Sequence, residues 1–326
     1  MNAPIVLDHA HHDQRLIVHP VAGCVATSWS ISGRECLTLP DTLPAFLAST
    51  RTGGIPLLYP YANRLSKDRF EVAGRSVDLA RFPNLKRDGN GLPIHGLLLR
   101  WQRWELEQPT SHELHARIRW DAHAELMQAF PFPHSLRVSW RLGGDGVNAV
   151  LDVEVQVRAD GGCDVPIAFG WHPYLAADAG EPAGDGESSR SQPPPRMDRI
   201  DLPAARRWSL DRTGLPSGAA EPVPGPPHQE QVGGGQDALY ELPSNASDAP
   251  GLVASLRGET CTTEVHLQSG WRFMQVYSPA GAAFAAIEPM TATTNALVTG
   301  APIVAAGSTF TAAFALKHRR NSSRLG

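Results

Sequence analysis

Apolar and polar residues alternate with period two through most of this chain. The clearest run is LDVEVQVRA, where Leu151, Val153, Val155 and Val157 fall on one face and Asp152, Glu154 and Gln156 on the other. That is the pattern of a strand with one buried and one wet face. ELHARIRW, SLRVSWRL, TEVHLQ and FTAAFAL repeat it, separated by turn material such as GGDG, RADGG and SPAGA. Few convincing helical runs lie between them. Strands following strands through tight turns predict an all-β fold, a large antiparallel β-sandwich with few short helices, rather than a parallel α/β sheet. The absence of a fixed-period repeat argues against a propeller.

Two stretches interrupt the alternation, ADAGEPAGDGESSRSQPPPR at about 178–198 and GLPSGAAEPVPGPPHQEQVGGGQ at about 214–236. Both are rich in Pro, Gly and polar residues and too poor in large apolar groups to build a core of their own. They read as long loops. Linkers between domains would look similar, but strand patterning of the same type resumes after each stretch. The chain therefore reads as one domain over 1–326, with surface excursions near the mouth of a site.

Composition narrows the class further. Of the 326 residues 42% are hydrophobic, enough for a substantial core, while no run approaches the roughly 18 apolar residues of a membrane helix. The N-terminal MNAPIVLDHAHHDQ lacks the layout of a secretory signal, so a cytoplasmic location is the default expectation. Cys24, Cys36, Cys163 and Cys261 stand singly, without the C-x-x-C spacing of a zinc ribbon or redox pair, and read as reduced core or surface thiols. A net charge of −4 without a long basic run disfavours nucleic acid as a partner. The locally basic tail KHRRNSSRLG reads as a segment fraying into solvent. Monomer and homodimer are both compatible with the sequence.

Candidate chemistry gathers where ionisable groups sit beside glycine or proline at the ends of apolar runs. In AFGWHPYL, Pro173 pushes His172 towards extended geometry, so its side chain can be aimed. Asn63 and Arg64 close the segment GGIPLLYPYANRL, and His95 precedes Gly96 in GLPIHGLLLRWQRWEL. Glu288 follows the uncharged SPAGAAFAAI and precedes Pro289 in AAIEPMTATTNAL. A carboxylate there is expected to be partly desolvated, which raises its pKa and improves it as a proton acceptor near neutrality. Each group taken singly has an ordinary structural reading as well. His172 and Glu288 would be satisfied strand-end groups, His95 a turn residue and Arg64 half of a surface ion pair.

Taken in order, PLLYPYANRL, IHG with Trp104 downstream, GWHPYL and IEPMTATTNAL resemble the signatures of the aldose 1-epimerase (galactose mutarotase) family and span most of the chain. The resemblance implies the family's β-supersandwich, with a free aldose held in an open cleft on a sheet face and its α and β anomers interconverted. It implies no cofactor and no metal. Ring opening needs a base at the anomeric hydroxyl and an acid at the ring oxygen. By resemblance Glu288 is the base and His172 the acid, with His95 hydrogen-bonding near the ring or anomeric oxygen, Arg64 holding sugar hydroxyls and Asn63 beside it. A histidine with the ordinary pKa of about 6.5 can still donate near neutrality. Asp237 in GGGQDALY resembles the family's sugar-binding aspartate, although a turn-forming Asp fits the same segment. Trp171 and Tyr174 flank His172 and offer either an apolar face to the sugar or core packing. The apolar GLLLRWQRW after His95 and the two long excursions depart from the family pattern and bear on pocket shape.

Other chemistries fit less well. His9, His11 and His12 would alternate faces on a strand and belong to no recognised metal motif. G-x-S-x-G, a P-loop and a dinucleotide fingerprint are missing from the sequence. A non-catalytic carbohydrate-binding protein would use the same cleft, but has no need of a base opposite an acid. A relative acting on hexose 6-phosphates would need further cations at the cleft, for which Arg51, Arg69, Arg75, Lys86 and Arg87 are candidates.

Overall fold

The computed structural model describes residues 3–10, 12–180, 199–225, 227–243 and 251–321. Two large antiparallel sheets carry the fold, accompanied by two separate two-stranded ones. The larger sheet runs Ile5–His9, Gln14–His19, Val25–Ile31, Arg34–Leu37, Tyr174–Gly180, Phe284–Met290, Phe273–Ser278, Gln236–Glu241, Arg206–Trp208, Glu221–Pro222. The short strands Gly170–Trp171 and Leu57–Leu58 extend it from Phe284–Met290. The second sheet runs His228–Glu230, Arg199–Leu202, Leu252–Arg257, Cys261–Ser269, Thr309–Arg320, Asn148–Arg158, Ser135–Asp145, Glu113–Arg119, Glu105–Thr110. Three short helices, Leu43–Ala48, Ala124–Ala129 and Ala296–Thr299, complete the described α-structure. This is the large antiparallel β-sandwich that the period-two pattern predicts.

The alternation becomes the core. Leu151, Val153, Val155 and Val157 are at most 1% exposed, each stabilising the fold by roughly 1.5–3 kcal/mol. From the neighbouring strands Trp140 and Phe314 meet Trp171 edge-on, with ring centres at 6.0 and 6.2 Å. Trp171 immediately precedes His172, so the core itself fixes where the chain leaves for the site. Core packing is thus the fate of Trp171, and Cys24, Cys36 and Cys261 are buried as well.

Three sequence expectations change. Lys317, His318, Arg319 and Arg320 do not fray; they complete the strand Thr309–Arg320, which pairs on both sides. Leu316 and His318 turn inward, while Lys317 and Arg319 turn outward to Asp145 and Glu264. That alternation accommodates a basic run in a strand. The excursion at 214–236 contains the strands Glu221–Pro222 and His228–Glu230, each an edge of a different sheet. Proline and polar residues are tolerated there because an edge strand leaves one row of backbone groups unpaired. Of the excursion at 178–198, residues 178–180 finish the strand Tyr174–Gly180 and 181–198 lie outside the described residues. Residues 322–326 of the tail and His11 also lie outside them.

Among the described residues no helix is long and apolar enough to cross a membrane. Nor do they include a group of three His, Cys, Asp or Glu side chains able to hold a metal ion. His9 instead packs edge-on against His112 at 5.4 Å.

Candidate active site

The segment 53–65 brings the separate motifs together. Its backbone pairs on one side with the His172 stretch, through Trp171 opposite Leu57 and Tyr61 beside Ala168. On the other side it pairs with the His95 stretch, through Tyr59 beside Gly96 and Arg64 opposite Ile94. The backbone N–H of His172 donates to Pro56 O at 3.1 Å and that of Tyr174 to Gly54 O at 2.8 Å. Pro173 therefore sits between two clamped amides, which aim the His172 ring. The N–H of His95 donates to Asn63 O at 2.9 Å, and both residues have positive φ, 65° and 53°. Such backbone in a non-glycine residue carries strain that the surrounding structure must hold.

A cavity of about 300 Å³ opens on the outer face of the larger sheet. It is lined by all six residues singled out from sequence: Asn63, Arg64, His95, His172, Asp237 and Glu288. His172 Nε2 lies 3.3 Å from Glu288 Oε1. His95 stands edge-on to His172 with ring centres 5.5 Å apart. Arg64 is held from three sides: its Nε donates to Asp88 at 2.8 Å, its Nη1 donates to Asn63 at 2.9 Å, and its Nη2 is 3.9 Å from Asp237. Asp237 lies on the strand Gln236–Glu241 opposite Tyr277, not in a turn. It accepts a hydrogen bond from Gln275 Nε2 at 2.5 Å.

Burial sets the protonation of the central pair. It pushes the Glu288 carboxyl well above the usual carboxylate range, an effect that Asp237 reinforces and Arg64 opposes. The same burial pushes His172 down to about 3. The expectation that His172 keeps an ordinary histidine pKa is therefore corrected: with its ring enclosed by Tyr174, His95 and Tyr277, its cationic form loses hydration. Both shifts favour the neutral forms, carboxyl beside imidazole, over the ion pair. His95 is also driven well below its usual range, by burial first and then by His172, Lys86 and Arg64.

Gln275, Tyr277 and Asp88, which sequence reasoning missed, complete the walls together with Tyr174, which it had placed beside His172. Gln275 is 1% exposed and directly opposite Glu288 on the adjoining strand. Its signal was a lone amide flanked by Met274 and Val276 in an alternating run. Tyr174 stacks on His172 with ring centres 4.3 Å apart, and its hydroxyl is 3.1 Å from Nε2 and 2.7 Å from Thr52. Tyr277 and Asp88 line the same cavity. Of the five additional cations, Lys86 and Arg87 line it too, and Arg51 lines an adjoining cavity that shares Thr52, Lys86, Tyr174 and Tyr277. Arg69 pairs instead with Asp78, and Arg75 donates to Pro131 O.

Comparison with other proteins places the chain. No curated protein sequence matches it. Among solved structures, a Synechocystis protein superposes with a TM-score of 0.74 at 21% identity, covering 98% of this chain and 97% of its own. A galactose mutarotase-like protein from Clostridium acetobutylicum gives 0.70 at 16% identity over 94% and 93%. Galactose 1-epimerase from Lactobacillus acidophilus gives 0.69 at 13% identity over 97% and 94%. At such identities these likenesses speak to the fold. The profile of aldose 1-epimerases, in contrast, matches residues 8–313, nearly the whole sequence. The chain belongs to the aldose 1-epimerase family.

Proposed function

We propose that the protein is an aldose 1-epimerase that interconverts the α and β anomers of a free aldose by acid–base ring opening and closure. The observation that carries this reading is the buried Glu288–His172 pair, 3.3 Å apart, at the floor of a cavity whose rim holds Arg64 and Asp237. Sugar hydroxyls entering the cavity replace water around the pair and bring it dipoles that stabilise its ionised form, carboxylate with imidazolium. That form differs from the resting one by a single proton passed from Oε1 to Nε2, so no proton need enter from solvent. Glu288 then takes the proton of the anomeric hydroxyl while His172 gives one to the ring oxygen. The C1–O5 bond breaks as the C1–O1 carbonyl forms. Rotation of the open aldehyde about C1–C2 and reversal of both proton transfers give the other anomer.

Arg64 donates and Asp237 accepts, a pairing suited to vicinal hydroxyls, which do both. Tyr174 holds the His172 ring by stacking and Gln275 holds Asp237 by its amide. The test is polarimetry on freshly dissolved α-D-glucose and α-D-galactose. Faster relaxation with the wild type, lost in Glu288→Gln and His172→Asn, supports the reading. A site that binds these sugars while all three proteins leave the rate at baseline is instead a carbohydrate-binding site.

A second reading, an aldose bearing a phosphate, is favoured by Lys86. Burial, with Arg100 and Arg51 nearby, pushes its ammonium down to about 8, as is expected of a cation that lacks an adjacent anion. Tighter binding of glucose 6-phosphate than of glucose would support this reading, and equal or weaker binding would remove it.

A further inference from the structure

The apolar stretch that follows His95, which departs from the family pattern, builds a cavity of its own. Leu97, Leu99 and Trp101 line a space of about 200 Å³ together with Phe82, whose ring centre lies 6.5 Å from that of Trp101. Leu97, Leu99 and Trp101 are at most 7% exposed, so little of their surface meets bulk water. A cavity of about 150 Å³ with such a lining takes up benzene. This one has room for a single ring and a short substituent.

Two cations stand in the wall of the same cavity, Lys86 and Arg100. The Lys86 ammonium donates to Thr50 O, which leaves it donors to spare. The Arg100 guanidinium donates to the backbone oxygens of Phe46, Ser49, Arg51 and Leu99. Carbonyl dipoles thus hold both charges in place, but no carboxylate among the described residues offsets either one. Burial, with Arg100 and Arg51 nearby, pushes Lys86 down to about 8, and burial pushes Arg100 down to about 10. Glu125 also lines the cavity, yet it pairs with Arg103, whose guanidinium lies over the Trp101 ring at 4.5 Å. Half-buried cations without an anion, set beside an apolar lining, complement a molecule with an apolar body and an anionic head.

We propose that this cavity is a second ligand site, for a small aromatic carboxylate whose ring lies among Phe82, Leu99 and Trp101 and whose carboxylate meets Lys86 beside Arg100. Arg100 lines this cavity and not the first, whereas Lys86 lines both. After burial, the Lys86 charge is among the influences that hold His95 and His172 below the usual histidine range. The two cavities therefore share one charge, and a carboxylate paired with it lies outside the space assigned to the sugar. The proposal does not rest on the mutarotation reading, because its ring and head contacts take no part in the proton transfers.

The probe is phenylacetate, with 2-phenylacetamide as its uncharged counterpart and acetate as the anion without a ring. Tryptophan-labelled protein is titrated with each, and the Trp101 indole resonance, identified by its loss in Trp101→Phe, is followed by NMR in wild type, Phe82→Ala and Lys86→Met. The expected result is a saturable movement with phenylacetate, at least about tenfold weaker binding of the amide, and little response to acetate. Phe82→Ala and Lys86→Met are each expected to raise the Kd for phenylacetate about tenfold. Added glucose should leave that Kd unchanged. A Trp101 resonance that does not move, or that responds alike to acid and amide, overturns the site. Displacement of phenylacetate by glucose overturns it too, since the probe would then lie in the first cavity. The other indole resonances show whether each variant is folded. The comparison of acid with amide is made on the wild type alone, so a variant that fails to fold leaves the decision intact.

Discussion

Nε2 of His172 and Oε1 of Glu288 stand 3.3 Å apart with both side chains almost wholly buried, so the two groups titrate as a pair. The pair holds one proton from about pH 3, where His172 takes up a second, to the raised pKa of Glu288. The enzyme-catalysed kcat/KM is therefore expected to show no histidine step between pH 5 and pH 7. An ordinary histidine donor would titrate within that interval, at about 6.5. Glu288→Gln and His172→Asn should each lower the rate by roughly 10²–10⁴, the usual span for a general acid or base. A step in the wild-type profile near pH 6.5, measured against the uncatalysed rate in the same buffers, would show that His172 is not sealed as described.

Arg64 joins Asn63, Asp88 and Asp237, and its side chain is 19% exposed. Arg64→Met keeps the stem and removes the charge, leaving Asp88 without its main cationic partner and Asp237 without the donor beside it. The expected result is a KM raised about 10- to 100-fold, with a smaller fall in kcat, as follows from losing charge-assisted hydrogen bonds of about 1.5–3 kcal/mol. Loss of Arg64 should also push Glu288 further up, since the guanidinium is the group that opposes its rise. Initial-rate kinetics across substrate concentration separate the two effects. An unchanged KM would remove Arg64 from sugar binding.

How much of this was legible in the sequence differs by residue. The valine face of Asn148–Arg158 was readable because alternation depends on neighbours along the chain. His95, His172 and Glu288 were readable because each sits beside glycine or proline at an apolar run, Asn63 and Arg64 because they close such a run, and Asp237 through the family resemblance alone. Their convergence was not, since it depends on the backbone pairing of segment 53–65 with two distant stretches. Gln275 and Tyr174 are visible locally, as a lone amide among apolar residues and as a neighbour of His172, but the partners they meet through sheet register and ring stacking are not. The His172 pKa could not be read from sequence because it follows from what encloses the ring.

Gly96 allows the chain beside His95 to lie against Tyr59. Its φ is 73°, and a Cβ would fall 2.2 Å from Tyr59 O, a backbone atom that is itself held by the N–H of Leu97 at 2.7 Å. Gly96→Ala must therefore shift backbone and strain a left-handed residue, at a cost of about 1–3 kcal/mol from the strain alone. Urea unfolding is expected to show a lower midpoint with an unchanged slope. Because His95 moves with its neighbour, activity per folded molecule should fall too. A variant as stable and as active as the wild type would mean that the close approach of the two segments is dispensable.

The pH dependence of stability tests the buried pair without any substrate. Glu288 has a raised pKa in the folded state, so above about pH 4.5 the folded chain holds a proton that the unfolded chain has released. Its stabilising contribution is complete below that pH and is lost as pH rises through the folded value. His172 runs the other way: between about 3 and about 6.5 the unfolded chain binds the extra proton, so stability rises with pH across that window. From about 4.5 to 6.5 the two slopes oppose each other; above 6.5 the Glu288 slope, at most about 1.4 kcal/mol per pH unit, acts alone. Glu288→Gln keeps the shape of the neutral carboxyl and has no proton to lose. Its stability relative to wild type should therefore increase from pH 4.5 to pH 8. His172→Gln should instead leave the Glu288 slope unopposed, so that its stability relative to wild type increases as pH falls from 6.5 to 4. Urea midpoints for the three proteins at pH 4, 6 and 8 decide the matter, and a difference between Glu288→Gln and wild type that stays constant across them would show that Glu288 is ionised in the resting site.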